Sequence, residues 1–332
     1  MRALVTGAGG FLGQYLVEQL LSRGDQVRCL ARGRYPQLEE SGAECRQGDL
    51  RDPRVAAAAC EGMDIVFHAA GVAGIWGPWH HYHSINTLAT CNLIAGCWQH
   101  KVPRMVYTSS PSVTFDGGDQ RGVDESVGYP AKWLCHYPHS KALAEQHVLQ
   151  AHGQDGLSTC ALRPHLIWGP RDRHLIPRLL QRAREGRLRR VGEGRNQIDM
   201  VYVVNAAAAH LQAAEALEPG DPAGGRAYFI SQGEPVNCWD WINEILSLAK
   251  LPPITRGISF RMAWRIGAAM EAVYAALRLR GEPRMTRFLA AQLAKDHYFD
   301  IRRAREDFGY APPISTAEGM QRLAANLAAG HA

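Results

Sequence analysis

Tyr137 and Lys141 stand four residues apart in the run Tyr-Pro-His-Ser-Lys. On a helix, side chains at i and i+4 share one face, so this spacing sets a phenol beside an ammonium. The cation favours the phenolate and is expected to bring the Tyr137 pKa down towards neutral pH. A tyrosine tuned in this way can give or take the proton that accompanies hydride transfer at a carbinol or ketone carbon. The pattern is common by itself. Its weight comes from its place behind a glycine-rich turn and a Thr-Ser-Ser strand end at residues 108–110.

The turn is Gly7, Gly10 and Gly13 in GAGGFLG, between an apolar run and a helical one that Phe11 and Leu12 open. The first glycine permits a tight turn, the second a close approach of backbone to a pyrophosphate, and the third close packing of helix on strand. Folds of this kind that use NAD place an acid at the end of the second strand, on the ribose 2′-hydroxyl. Here Ala31 stands there, followed by Arg32 with Arg34 close by. No carboxylate repels a 2′-phosphate, and a guanidinium can hold it, so NADP(H) is expected first and NAD(H) second. Asp49 and Leu50, in GDLRD, are expected at the adenine, and Ala69, Ala70 and Gly71 along the adenylate. An N-cap for the helix ahead of Pro53 is the alternative role for Asp49.

Positioning these groups requires strands at 2–6, 26–31, 44–47, 65–69, 104–109 and 159–163, alternating with helices to about Arg23, over 53–61 and 84–99, and from Tyr137. That rhythm predicts an α/β fold, a doubly wound parallel Rossmann sheet with a smaller, discontinuous C-terminal substrate domain. Residues 1–165 form the dinucleotide half and 200–232 return to it, through strands at 200–204 and 227–231. Residues 166–199 and 233–332 form a cap with helices at 175–185, 239–249 and 261–279.

TGAGGFLG, HAAG, YTSS, YPHSK and LRP, in that order, resemble the extended short-chain dehydrogenase/reductases, in the 3β-hydroxysteroid dehydrogenase-like branch. The likeness continues through RPHLIWGPRD, LRLRGEP and RRAREDFGY. AGIWGPWHHYHSIN and RAYFISQGEP are most similar to bacterial 2-alkyl-3-oxoalkanoate reductases of long-chain olefin biosynthesis. The resemblance implies that Ser110 hydrogen-bonds the substrate oxygen, Tyr137 is the acid or base, and Lys141 holds the nicotinamide ribose. It implies further that Pro164 shapes the nicotinamide pocket and that homodimers pack through the Ser84 and Tyr137 helices. The family's usual Val-Asp-Asn is Val203-Val204-Asn205 here, which leaves the hydrogen bonding of that turn open.

The expected reaction is reduction of a long-chain 2-alkyl-3-oxoalkanoic acid. A 3β-hydroxysteroid or sterol-4-carboxylate dehydrogenase, a nucleotide-sugar epimerase or dehydratase, and a catalytically inert dinucleotide sensor are the alternatives. Trp76 and Trp79 are expected as apolar wall in a loop over the site. Arg171 or Arg173 is expected on a substrate carboxylate, with surface solvation as the alternative. His80, His81 and His83 lack metal-site spacing, and no metal is expected. The 332 residues, 46% hydrophobic and 21% charged, suit an ordinary globular chain. A net charge of +5 without a basic tract argues against nucleic acid. Eight scattered cysteines form no CxxC, and the chain opens on a strand without a signal-like segment, so a cytoplasmic location is expected. The 261–280 stretch is too interrupted by charge to span a bilayer. It reads as a cap helix along a tunnel, as core packing, or as shallow membrane contact.

Overall fold

Strands β1 (Arg2–Thr6), β2 (Gln26–Ala31), β4 (Ile65–His68) and β5 (Arg104–Thr108) bury apolar residues on both faces, and β3 (Glu44–Gln47), Glu-Cys-Arg-Gln, is a polar edge strand. Val5 and Val106 enter one core with Leu16 and Phe229, whereas Leu4, Met105 and Tyr107 enter a second with Leu93 and Val148. Strands covered on both sides pair in parallel. In the computed structural model, which describes residues 1–330 except 219 and 221, they form a seven-stranded parallel sheet. Its order is Ala227–Ile230, Ser158–Pro164, β5, β4, β1, β2, β3. The order reverses between β1 and β4, where Thr6 lies in register with His68.

Helix α1 (Phe11–Ser22) follows the glycine turn and packs against Val203–Glu215 on one face of the sheet. That second helix corrects the strand expected over 200–204. Only Val201–Tyr202 is extended, paired with Ile167–Trp168 in a separate ribbon, and the chain then turns into the alanine-rich helix. Asn205 is buried there, its amide giving hydrogen bonds to Gln232 Oε1 (2.6 Å) and the Ile314 carbonyl (2.7 Å), so the turn is satisfied without the family's acid. The helix expected over 84–99 is made of three joined parts. Trp79–Tyr82 is α-helical, His83–Leu88 is a π-turn, and Ala89–Gln99 is α-helical again.

Beyond the sheet, Trp168, Ile176, Leu180, Trp239, Trp241 and Ile245 gather in a third core. A four-stranded sheet of Val236–Asn237, Gln197–Ile198, His297–Phe299 and Gln120–Val123 lies beside it. This sheet carries Gln120, His297 and Phe299 to the pocket described next. Among the described residues no helix is long and apolar enough to cross a membrane.

Candidate active site

Where the strand order reverses, the carboxyl ends of β1 and β4 part and leave a crevice. Gly7 turns the chain there with φ +71°, and a Cβ on it would lie 2.7 Å from the Ala70 Cα. Gly13 packs so tightly that a Cβ would strike the Gly7 carbonyl. Gly10 precedes α1, whose N-terminus has neither a side-chain cap nor an acid in its first turn. Its free N–H groups suit an anion such as a pyrophosphate. The crevice has a volume of about 520 Å³, and Gly7, Gly10, Ala69, Ala70 and Gly71 line one side of it. Phe11 and Leu12 face elsewhere: Phe11 meets the edge of Tyr15, and Leu12 is buried in the core.

Ala31, Arg32, Asp49 and Leu50 line the other side, with Tyr35 and Arg51, two residues the motif reading missed. The Tyr35 ring lies across Gly9. Asp49 accepts hydrogen bonds from Arg51 at 2.6–3.0 Å, and Arg51, then more weakly Arg32, holds its carboxyl below the usual range. Arg34 instead borders a separate hollow with Arg46, beyond Tyr35. The helix N-cap ahead of Pro53 is Asp52, which accepts the Arg54 N–H at 2.9 Å, so Asp49 is not the cap.

A directed hydrogen-bond chain leads from the glycine turn to the Tyr137 helix. The Thr90 hydroxyl gives its proton to the Asn86 carbonyl (2.6 Å), so it accepts from His68 Nε2 at 2.9 Å. His68 Nδ1 then accepts from the Thr6 hydroxyl at 2.7 Å, whose oxygen receives the Ala70 N–H. Burial, with Lys141 as the lesser cause, pulls the His68 pKa down to about 3, in keeping with this neutral ring. Asn86, on the π-turn, accepts the Val72 N–H (2.8 Å) and donates to the Ser140 hydroxyl (2.9 Å), which donates to the Tyr137 carbonyl. Asn86 was also missed; only its place in HSIN hinted at it.

Tyr137 and Lys141 lie on the helix His136–Gln150. Lys141 is buried, its ammonium donating to the Thr108 carbonyl at 2.6 Å and sitting 4.1 Å above the Tyr107 ring. Burial lowers its pKa to about 7, against the pull of Glu145 one turn on. Glu145 is itself buried, accepting from Arg163 at 2.6 and 3.0 Å and from the Tyr129 hydroxyl at 2.8 Å. Tyr137 does not follow expectation. Burial raises its pKa, the neighbouring Ser110 hydroxyl opposes the rise, and the Cys135 thiol adds to it. The ammonium is committed to Thr108 and Tyr107, and desolvation of the phenol prevails. Ser110 caps a short 3₁₀ turn, its Oγ 2.9 Å from Ser112 Oγ. Ser110, Tyr137 and Pro164 open together onto a pocket of about 160 Å³ walled by Phe115, Phe288 and Phe299. A carbonyl oxygen seated there meets two hydroxyls.

Residues 4–252 match the sequence profile of the 3-beta hydroxysteroid dehydrogenase/isomerase family. The chain belongs to this family. It is an NAD(P)-dependent oxidoreductase with a nicotinamide dinucleotide cofactor. It is 48% identical over 332 residues to the 2-alkyl-3-oxoalkanoate reductase of Stenotrophomonas maltophilia, covering 99% of this chain and 100% of that one. A protein of the same name from Shewanella oneidensis is 46% identical, covering 98% of this chain and 86% of its own. Among solved structures, MoeE5 in complex with UDP-glucose and NAD superposes with a TM-score of 0.77, at 25% identity and over 100% of both chains.

In this member of the family the remaining predicted residues lie outside the Ser110–Tyr137 pocket. Arg171 is bound to Glu18 through both carboxylate oxygens (2.5 and 2.9 Å) and stacks 3.9 Å over Tyr15, a clamp of its turn onto α1. Its guanidinium is thus engaged by Glu18 and Tyr15 in this structure. Arg173 is exposed and borders no cavity described here. Trp79 joins a cluster with His83, His136 and His139, and Trp76 meets Tyr274 of the helix Phe260–Ala276. The loop residue that reaches the apolar wall is Ile75, packed with Phe115 and Phe288. Among the described residues no group of three His, Cys, Asp or Glu side chains is placed to hold a metal.

Proposed function

We propose that this enzyme uses NADPH to reduce the ketone of a long-chain 2-alkyl-3-oxoalkanoic acid to the 3-hydroxy acid, reversibly. The observation that carries this reading is the joint presentation of the Ser110 and Tyr137 hydroxyls in one phenylalanine-walled pocket next to the dinucleotide crevice. A bound nicotinamide supplies the hydride to the carbonyl carbon. Tyr137 gives its proton to the carbonyl oxygen, and Ser110 orients that oxygen. A phenol whose pKa is raised by burial stays protonated, which suits donation and hence reduction. Lys141 is assigned to the nicotinamide ribose and Pro164 to the nicotinamide wall. The names of the two bacterial reductases support this substrate class.

Arg32, with Ala31 in the place of an acid, supports NADP(H) over NAD(H), and the same absence speaks against an epimerase cycle on tightly held NAD. Residues 1–165 and 200–232 are assigned to cofactor binding, and 166–199 and 233–332 to a substrate cap. A homodimer is assigned to the helices around Ser84 and Tyr137, where Leu88 is exposed. The helix Phe260–Ala276 exposes Met262, Ile266 and Val273 among Arg261 and Arg265, and is assigned to shallow contact with an anionic lipid surface. These assignments fit a cytoplasmic enzyme of lipid metabolism, in long-chain olefin biosynthesis.

The test is nicotinamide reduction by the purified protein, because a free 3-oxo acid loses carbon dioxide. A long-chain 2-alkyl-3-hydroxy acid and a 3β-hydroxysterol 4-carboxylate are each offered with NADP⁺ and NAD⁺. Turnover of the hydroxy acid with NADP⁺ is expected. Turnover of the sterol with NAD⁺ alone would overturn both the substrate and the coenzyme assignments.

A further inference from the structure

One wall of the Ser110–Tyr137 pocket carries polar groups that hydride and proton transfer leave unused. His165 and His297 line it, both buried, and Asp199 is buried behind His165 without reaching the pocket. His165 Nδ1 lies 2.6 Å from Asp199 Oδ1, and His165 Nε2 lies 3.2 Å from His297 Nδ1. His297 Nε2 is 2.7 Å from the Gln292 carbonyl oxygen. The second Asp199 oxygen accepts the Phe299 N–H at 2.9 Å.

The partners fix the protons. A carbonyl oxygen only accepts, so His297 Nε2 carries a hydrogen. Burial first, and His165 second, lower the His297 pKa to about 3, so its ring is neutral and its Nδ1 is bare. That nitrogen must accept, which puts a hydrogen on His165 Nε2. Asp199 accepts a backbone N–H on one oxygen and meets His165 Nδ1 with the other. His165 therefore turns an Nε2–H donor towards the pocket wall, with Asp199 bound to its other ring nitrogen. Asp199 is sealed on the side away from the pocket, so the pair forms a dipole whose donor end faces inward. Among the described residues no Lys or Arg lines this pocket. In low-dielectric surroundings such a dipole, positive end inward, acts strongly on an anion.

We propose that His165, paired with Asp199, is the specificity-determining residue that recognises the carboxylate of an acidic substrate at this site; this rests on the carbonyl-reducing reading above. In a 3-oxo or 3-hydroxy acid the carboxylate is separated from the reacting carbon by one carbon. With the 3-oxygen on Ser110 and Tyr137, the carboxylate falls within the same small pocket. There it takes the place of His297 Nδ1 as acceptor of the His165 Nε2–H. The carboxylate-binding role expected of Arg171 or Arg173 thus passes to a histidine that directly follows Pro164.

The test compares the full-length protein with its His165→Gln variant, which keeps hydrogen-bonding capacity and loses the imidazole. One arm measures NADP⁺-dependent oxidation of a long-chain 2-alkyl-3-hydroxy acid and of the matching secondary alcohol without the carboxyl group. In the variant, the ratio of kcat/KM for acid over alcohol should fall about tenfold or more, chiefly through KM for the acid. A purely structural role would lower both substrates alike, and that result overturns the proposal. The second arm titrates decanoate and 1-decanol into the NADP⁺-saturated protein by calorimetry. Preference for decanoate in the native protein and its loss in the variant support the proposal, and equal affinities in the native protein overturn it. This arm decides the matter even if neither hydroxy compound is turned over, an outcome that would count against the catalytic reading alone. If His165→Gln does not fold, Asp199→Asn, which removes the carboxylate, is expected to give the same loss of preference.

Discussion

Arg32 offers a quantitative test of coenzyme choice. Two guanidiniums line the crevice beside Ala31, but they are not equivalent. Arg51 is committed to Asp49 through bonds of 2.6–3.0 Å, whereas among the described residues the Arg32 guanidinium has no ion-pair partner. Arg32 is therefore free to take a 2′-phosphate. A hydrogen bond to a charged group contributes about 1.5–3 kcal/mol, and because Arg32 is exposed to solvent the lower end, about 1.5–2 kcal/mol, applies. At about 1.4 kcal/mol per tenfold, Arg32→Ala should reduce the ratio of kcat/KM for NADPH over NADH by about 10- to 30-fold. Most of the change should appear in KM for NADPH, because the 2′-phosphate is remote from the reacting atoms. Ala31→Asp should lower the ratio further by placing a carboxylate against the phosphate. Initial rates of reduction with both coenzymes, on 3-oxo acid prepared immediately before use and held at one concentration, give the ratio directly. An unchanged ratio in Arg32→Ala would refute the assignment, and Arg51 would then be the next guanidinium to remove.

Three further outcomes are expected. Tyr137→Phe should lower kcat by about 10²–10⁴-fold while NADPH binding, followed by fluorescence, stays close to native; surviving turnover would move the proton donor elsewhere. Gly7→Ala should cost about 2–4 kcal/mol in urea unfolding, because it combines φ +71° with a Cβ held against the Ala70 backbone, and a cost below measurement would contradict that geometry. Stability should fall as pH drops from 6.5 towards 4. Burial holds His210 near 4 from a usual 6.5, so the unfolded chain binds a proton in this window that the fold does not. His68 and His297, both near 3, act in the same direction. Each such histidine contributes a slope of about 1.4 kcal/mol per pH unit, so His210→Gln should show a shallower decline by about one proton, and an identical slope would refute the reading.

The sequence reveals the parts of this molecule that depend on neighbours along the chain. The ranges expected for β1, β2 and β3 are those observed, because β1 and β2 are short apolar runs and β3 is set off by Gly42 and Gly48. The glycine turn is legible for the same reason. What was hidden depends on distant partners. Arg171 looks like an anion-binding residue until Glu18, 153 positions away, is folded onto it. His165 meets Asp199 and His297, 34 and 132 residues on. The helix Val203–Glu215 begins with two valines, which favour strands, and carries buried residues all round, so no amphipathic period marks it. Strands of two residues, such as Gln197–Ile198, are too short to show alternation. The effect of Lys141 on Tyr137 was misjudged because spacing shows proximity and says nothing of desolvation.

The π-turn at His83–Leu88 bears on how this site tolerates insertion and deletion. A π-turn accommodates one residue more than the α-helical path it interrupts. Losing a single codon in this stretch would let the helix close into regular α form, with nothing else in the chain changed. The α-helical stretches on either side would keep their phase, because the extra residue is absorbed within the turn, and the change would fall on the side chains that the turn itself aims. Asn86 sits inside the turn, so it could not keep Val72, Ser140 and the carbonyl contact to Thr90 together. For this segment, reading-frame length is therefore as much a part of the site as the identity of any side chain. Substitutions along its exposed face should be absorbed far more readily than the removal of one amino acid.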